Sequence, residues 1–165
     1  MENVNVYVDF KLNIEEGTSL FNVEAQCLIF TEDLDQSVNV GHASFYLINP
    51  VKSSYLDVCG DADCISSDLS HSLISLRDIC DVESIQGLVA TGHFINIKED
   101  WRGKGLGKAF IKKMIEQLTL LNVGIMVLIA RNTNEFPYYS ELGFQPLKNK
   151  ADISLMYRYA DDINV

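Results

Sequence analysis

The sequence predicts a mixed α/β domain: one central sheet, strand-rich at its start and flanked by helices toward its end. Three patterns carry this. Two segments near the amino terminus alternate apolar and polar residues, the mark of half-buried strands. Residues 87–130 then read as strand, glycine-rich turn, amphipathic helix and apolar strand, which makes a parallel pair. Residues Ile153 to Tyr159 supply a closing strand.

Val4, Val6, Val8, Phe10, Leu12 and Ile14 share one face of the first strand, and Phe21, Val23, Ala25, Cys27 and Ile29 repeat the pattern. The polar run EDLDQ leads into VNVGHASFYLI, so these segments read as a hairpin. The acidic stretch Asp57 to Asp68 shows no strand and is expected to be irregular. Leu69, Leu73, Leu76 and Ile79 or Cys80 recur at helical spacing, which predicts a helix over Asp68 to Asp81. Gly87 to Ile97 is a strand. Lys104 to Leu121 is a helix with Leu106, Phe110, Met114 and Leu118 four apart, and Ile111 and Ile115 beside them. Gly124 to Ala130 is apolar on both faces, as befits a strand covered on both sides. Pro137 suits the first turn of a short helix, and Gly143 its end.

The most telling stretch is Trp101 to Phe110, WRGKGLGKAF. A strand running into glycines at a helix amino terminus makes an anion cradle. The first N–H groups of a helix are unpaired, its dipole favours negative charge, and glycine lets a phosphate approach the backbone. A Walker loop ending at Lys108 would need Gly where Arg102 stands and a hydroxyl where Ala109 stands. A dinucleotide fingerprint would need Gly at the position of Lys108 or of Phe110. The pattern that fits is R-x-x-G-x-G, as Arg102, Gly105 and Gly107.

In this the stretch resembles the acyl-CoA loop of the GNAT superfamily of N-acyltransferases. A second match supports it: in NTNEFPYYSELGF, Asn132, Tyr139, Gly143 and Phe144 meet the spacing of the family's later motif. The resemblance covers about the last 80 residues and implies a mixed sheet with a splayed parallel strand pair that binds acetyl-CoA. It divides the single domain 1–165 into an acceptor-side part, 1–86, and a coenzyme-binding core, 87–165. It also implies the binding set: Ile95 and Ile97 along the strand, then Arg102, Gly103, Lys104, Gly105, Leu106, Gly107 and Lys108 at the turn, and Asn132. No metal is expected. The usual family layout places two helices between the first and second strands, where this chain reads as strand, so the acceptor half is expected to differ from its relatives.

Acetylation of an amine needs a held thioester, a neutral amine and a proton for the departing thiolate. By resemblance Tyr139 is the general acid, a phenol able to donate to a developing thiolate. Tyr138 takes that place if the helix register differs by one. His93, on the strand before the turn, is the candidate base, its imidazole suited to take a proton near neutral pH. His42 and His71 have weaker claims. A backbone N–H of the motif strand would stabilise the oxyanion. The implied activity is transfer from acetyl-CoA to a primary amine of a small molecule or protein. The alternative is a non-catalytic or regulatory acyl-CoA-binding module.

Charge divides the chain. Residues 1–100 hold four Lys/Arg against seventeen Asp/Glu, a balance of −13, and residues 101–165 hold nine against six, a balance of +3. Arg102, Lys104, Lys108, Lys112 and Lys113 gather around the turn. An acidic first half argues against nucleic acid, whose affinity rests on phosphate neutralisation, and suits a cationic acceptor. The sequence shows no secretory signal and no apolar run of membrane-spanning length. Cys27, Cys59, Cys64 and Cys80 have no metal-ligand spacing. A reducing, cytoplasmic setting without membrane contact is expected, and a homodimer is compatible with the resemblance.

Overall fold

In the computed structural model of the protein, residues 5–31, 36–130, 133–147 and 155–160 are described. Their strands form one seven-stranded mixed sheet. β1 (Val6–Ile14), β2 (Leu20–Thr31) and β3 (Gln36–Ile48) are joined by α1 (Tyr55–Ile65) and α2 (Ser67–Leu76) to β4 (Leu88–Ile97). Then come α3 (Leu106–Leu120), β5 (Val123–Ile129), α4 (Phe136–Ser140), β6 (Gln145–Pro146) and β7 (Leu155–Tyr159). The spatial order is β1-β2-β3-β4-β5-β7-β6. Among the described strands only the β4–β5 pair is parallel. The expected mixed sheet with its parallel pair is therefore present, and β2 and β3 form the expected antiparallel hairpin, whose residues 32–35 lie outside the described ones. Val4, Ile153 and Ser154 also lie outside them.

The alternation in β1 to β3 arises because one face of each strand meets α3. Val23, Ala25, Cys27 and Ile29 of β2 share a core with Phe45 and Leu47 of β3 and with Leu106, Phe110, Ile111, Met114 and Leu118 of α3. Past its first turn α3 has neither Gly nor Pro and repeats apolar residues every three or four positions, so helical propensity and burial agree. The opposite face carries a second core of Leu20, Tyr46, Ile48, Val89, Ile125 and Val127 packed under Tyr55, Val58 and Ala62 of α1 and Leu69, Leu73 and Leu76 of α2. Central strands buried on both faces explain the unbroken apolar run of β5.

The stretch expected to be irregular is largely α1, and the helix expected over Asp68 to Asp81 is the shorter α2. Tyr55, Val58, Cys59 and Ala62 do follow helical spacing and are all buried, but Gly60 and three aspartates dilute the signal. One serine between the helices breaks them: Ser66 adopts extended backbone and its hydroxyl accepts from the Leu69 N–H at 3.3 Å, an amino-terminal cap. The Tyr55 hydroxyl then ties the pair together by donating to the Leu73 carbonyl. A helix pair is thus present after all, placed between β3 and β4 rather than between the first two strands.

Phe110 is fully buried at the centre of the α3 face. Phe110→Ala should lower unfolding free energy by ~3–5 kcal/mol in denaturant titration, the cost of lost burial plus an unfilled cavity.

Candidate functional site

The strand β4 carries a bulge. It pairs with β3 as Phe94 opposite Ser44 and Gly92 opposite Phe45, which leaves His93 as the extra residue. An extra residue reverses which side chains face which side of a strand. Ala90 before the bulge and Ile95 and Ile97 after it therefore join the same core, beneath α3. On the other side β4 pairs with β5 only through Gly92 opposite Leu128. Beyond that point the two parallel strands share no ladder among the described residues, and a cavity of about 350 Å³ opens, lined by Thr91, Gly92, Phe94, Ile95, Ile129 and Tyr139, with Asp68, Leu69 and Ser72 of α2 and Glu135 completing it.

At its far end β4 runs into the glycine turn. The Lys98 N–H still bonds the Val40 carbonyl at 2.9 Å, and Glu99 to Trp101 make a single 3-10 turn. Gly103 and Gly105 take φ of 75° and 77°, which side-chain-bearing residues rarely adopt. Gly105 occupies the cap position of α3 and contributes no side-chain hydrogen bond, so the helix opens on uncapped N–H groups beginning with Leu106. A second hollow of about 320 Å³ lies there, lined by Ile97, Arg102, Gly103, Gly105, Gly107, Lys108 and Tyr138, among others.

The cations around this hollow are held by specific partners. Arg102 donates from Nε to the Ile97 carbonyl at 2.8 Å and from a terminal nitrogen to Asn96 Oδ1 at 3.1 Å. It thereby braces the turn against the strand end while keeping its charge at the hollow. Lys104 Nζ sits 4.5 Å from the Trp101 ring centroid, a cation–π contact. Lys108 Nζ meets Glu141 Oε2 at 2.7 Å, joining α3 to the segment just after α4.

Consecutive tyrosines of α4 face different chambers. Tyr138 lines the turn hollow, its hydroxyl so near Gly107 that a Cβ there would lie 3.0 Å from it. Partial burial, and then Tyr139 beside it, push its pKa up to about 12. Tyr139 lines the cavity where the strands part and packs edge-on against Tyr138 and against buried Phe144. Tyr139, not Tyr138, thus lines the cavity between the parted strands. His93 occupies the bulge, but its side chain lies outside the described residues, as does Asn132 altogether. His42 is exposed and stacks edge-on with Phe94 at 4.9 Å. His71 contacts Ser75 at 3.4 Å on α2 and does not line the cavity.

Sequence reasoning missed Asp68, Ser72, Thr91, Phe94 and Glu135 as cavity residues. No spacing rule links α2 to the strand end; packing of the helix pair brings them together. Among the described residues no group of three or more His, Cys, Asp or Glu could hold a metal ion, and no helix is long and apolar enough to cross a membrane. The four cysteines are free thiols.

The sequence model of the acetyltransferase (GNAT) family matches residues 9–144. The chain is a member of the GNAT acetyltransferase family. Solved structures share the fold. Arabidopsis thaliana NAA60 in complex with acetyl-CoA is 12% identical, with 83% of this chain and 76% of that chain covered at a TM-score of 0.51. The same protein in complex with a bisubstrate analogue is 14% identical, with 87% and 77% covered at 0.52. The NatC complex bound to Gag peptide and CoA is 10% identical, with 82% and 70% covered at 0.50. No curated protein matches this GNAT chain by sequence. The GNAT fold supports acyl transfer from acetyl-CoA, and its parted parallel strands and glycine turn are both present here.

The Lys108–Glu141 pair makes a pH-dependent link. A hydrogen bond from Lys108, and then its charge, hold the Glu141 carboxyl below the usual carboxylate range. A depressed folded-state pKa adds stability that is present above the ordinary range and is lost as pH falls through the folded value. In an NMR titration the Glu141 carboxylate should therefore protonate at lower pH in the native chain than in Lys108→Met. Coincident titrations would show that the pair is not maintained in solution.

Proposed function

We propose that the protein is an N-acetyltransferase that transfers the acetyl group of acetyl-CoA to a primary amine. The observation that carries this reading is the position of Tyr139 in the cavity where β4 and β5 part. The face of β4 bearing Ile95 and Ile97 leads from that cavity to the glycine turn.

The turn suits a pyrophosphate. A Cβ built on Gly103 or Gly105 would meet nothing within 4 Å, so open space lies before the backbone at the helix start. Amides from Gly103 to Lys108 would hold the phosphates, with Arg102, Lys104 and Lys108 supplying positive charge. Ile95 and Ile97 would flank the pantetheine arm, whose amides can pair with the β4 groups that β5 no longer meets. A β4 N–H past Gly92 would receive the charge developing on the thioester oxygen. In the transfer the amine nitrogen forms a bond to the acyl carbon, the carbon–sulfur bond breaks, and Tyr139 gives its proton to the sulfur. The amine loses a proton to a base, and His93, at the bulge beside the reaction point, is proposed for that role. Free thiols throughout support a reducing compartment such as the cytoplasm.

Gly105→Val should abolish coenzyme A binding measured by calorimetry, because the side chain projects into the phosphate space and strains a left-handed backbone position. Equal binding by both proteins would displace the coenzyme from the turn.

Tyr139→Phe should reduce kcat by ~10²-fold with coenzyme affinity nearly unchanged, as expected when a proton donor is removed. His93→Gln should remove the acidic limb of the pH–rate profile. Coenzyme binding without thiol release on any amine would favour a non-catalytic acyl-CoA-binding module instead.

A further inference from the structure

The two edges of the sheet are built differently. β6 forms one edge with two residues, one of them Pro146, and a short strand with proline offers little to a further strand. β1 forms the other edge with nine residues, and among the described residues it pairs only with β2. It has no glycine, proline or bulge to blunt it. Val6, Val8 and Phe10 pack on the core beneath α3, and Phe10 lies edge-on to Phe45 at 5.9 Å. Leu12 and Ile14 continue the same face but stand 53% and 69% exposed. On the other face Asp9 and Lys11 are exposed, and neither makes an ion pair with another described residue.

We infer that β1 is a dimerisation edge whose occupant is β1 of a second copy, running antiparallel about a two-fold axis at Phe10. The strand is self-complementary in that register. Asp9 falls opposite the second copy's Lys11, and by symmetry Lys11 falls opposite its Asp9. Opposite charges directly across a ladder stabilise the pairing. On the α3 face Phe10 meets its own copy, Val8 meets Leu12 and Val6 meets Ile14. The exposed end of each strand thus lies beside the end that the other copy anchors on its core, which withdraws Leu12 and Ile14 from water. Other registers lose this match. Sliding by two residues sets Asp9 against Asp9 or Lys11 against Lys11, and like charges directly opposite are destabilising. Sliding by one sets the apolar face of each strand beside the polar face of the other. β2 and β3 separate this edge from β4, so association can be read apart from any chemistry at the cavity.

Sedimentation velocity on the full chain should show a monomer–dimer equilibrium that responds to concentration. Asp9→Lys and, separately, Lys11→Asp each turn both ion pairs into repulsions and should raise the dimer Kd by about tenfold or more. Lys11→Asp also brings a carboxylate opposite Glu24 within the chain, whereas Asp9→Lys stands opposite neutral Gln26. Thermal melting therefore accompanies each variant, and Asp9→Lys is the cleaner of the two. The double variant Asp9→Lys/Lys11→Asp inverts the pairs and should recover the native Kd. An equimolar mixture of the two single variants should form a heterodimer, although each alone associates weakly. Raising salt should weaken the native dimer and strengthen those of the single variants, since it screens attraction and repulsion alike. A chain that stays monomeric at every concentration, a dimer that neither single variant weakens, or single variants that fail to associate when mixed would each overturn the inference.

Discussion

The parallel ladder between β4 and β5 stops at Gly92 and Leu128, and the working parts of the protein follow from that stop. A continuous parallel pair would satisfy its own backbone groups and leave no room between its strands. Ending the ladder inside the sheet opens a cavity and frees peptide groups for a ligand that pairs as a strand does.

The bulge at His93 works with that divergence. One extra residue in β4 lets Ala90, Ile95 and Ile97 all join the core under α3, while Thr91 and Phe94 line the chamber on the α2 side. Without the bulge the residues past it would exchange faces, and the run leading to the turn would be Phe94 and Asn96. The two cores then have separate duties. The one beneath α3 fixes the helix start against the end of β4. The one beneath α1 and α2 fixes the α2 wall of the cavity.

Charge follows the same division. The basic side chains cluster at the start of α3, and the cavity carries acidic ones from α2 and from the segment before α4. The two hollows therefore differ in the charge of their linings. Lys108 and Glu141 connect these ends mechanically, linking the turn to the segment just past the helix that carries Tyr138 and Tyr139. Buried Arg158 donates to the Leu142 carbonyl and lies beside Gly143, whose φ of 83° closes that segment. A side chain at Gly143 would meet the guanidinium at 2.5 Å, which is why glycine stands there.

The elements from β4 to β5 were legible in the residues themselves, because their signals are local. A glycine turn, a helix repeating apolar residues every fourth position and a doubly buried strand all lie within residues 87–130 and need no distant partner to be read. Motif spacing pointed to Tyr139 with Tyr138 as the alternative, but which tyrosine faces the cavity was not legible, since consecutive helical residues point about 100° apart and only packing on Phe144 fixes the rotation. The first helix was hidden by its small and acidic residues, whose helical spacing gains meaning only against the apolar face of β2 and β3. The bulge left no trace in composition, because it is a property of register between two strands. The cavity wall belongs wholly to the tertiary structure: Asp68, Thr91 and Glu135 are far apart in the chain, and burial of α2 against the sheet brings them to one cavity.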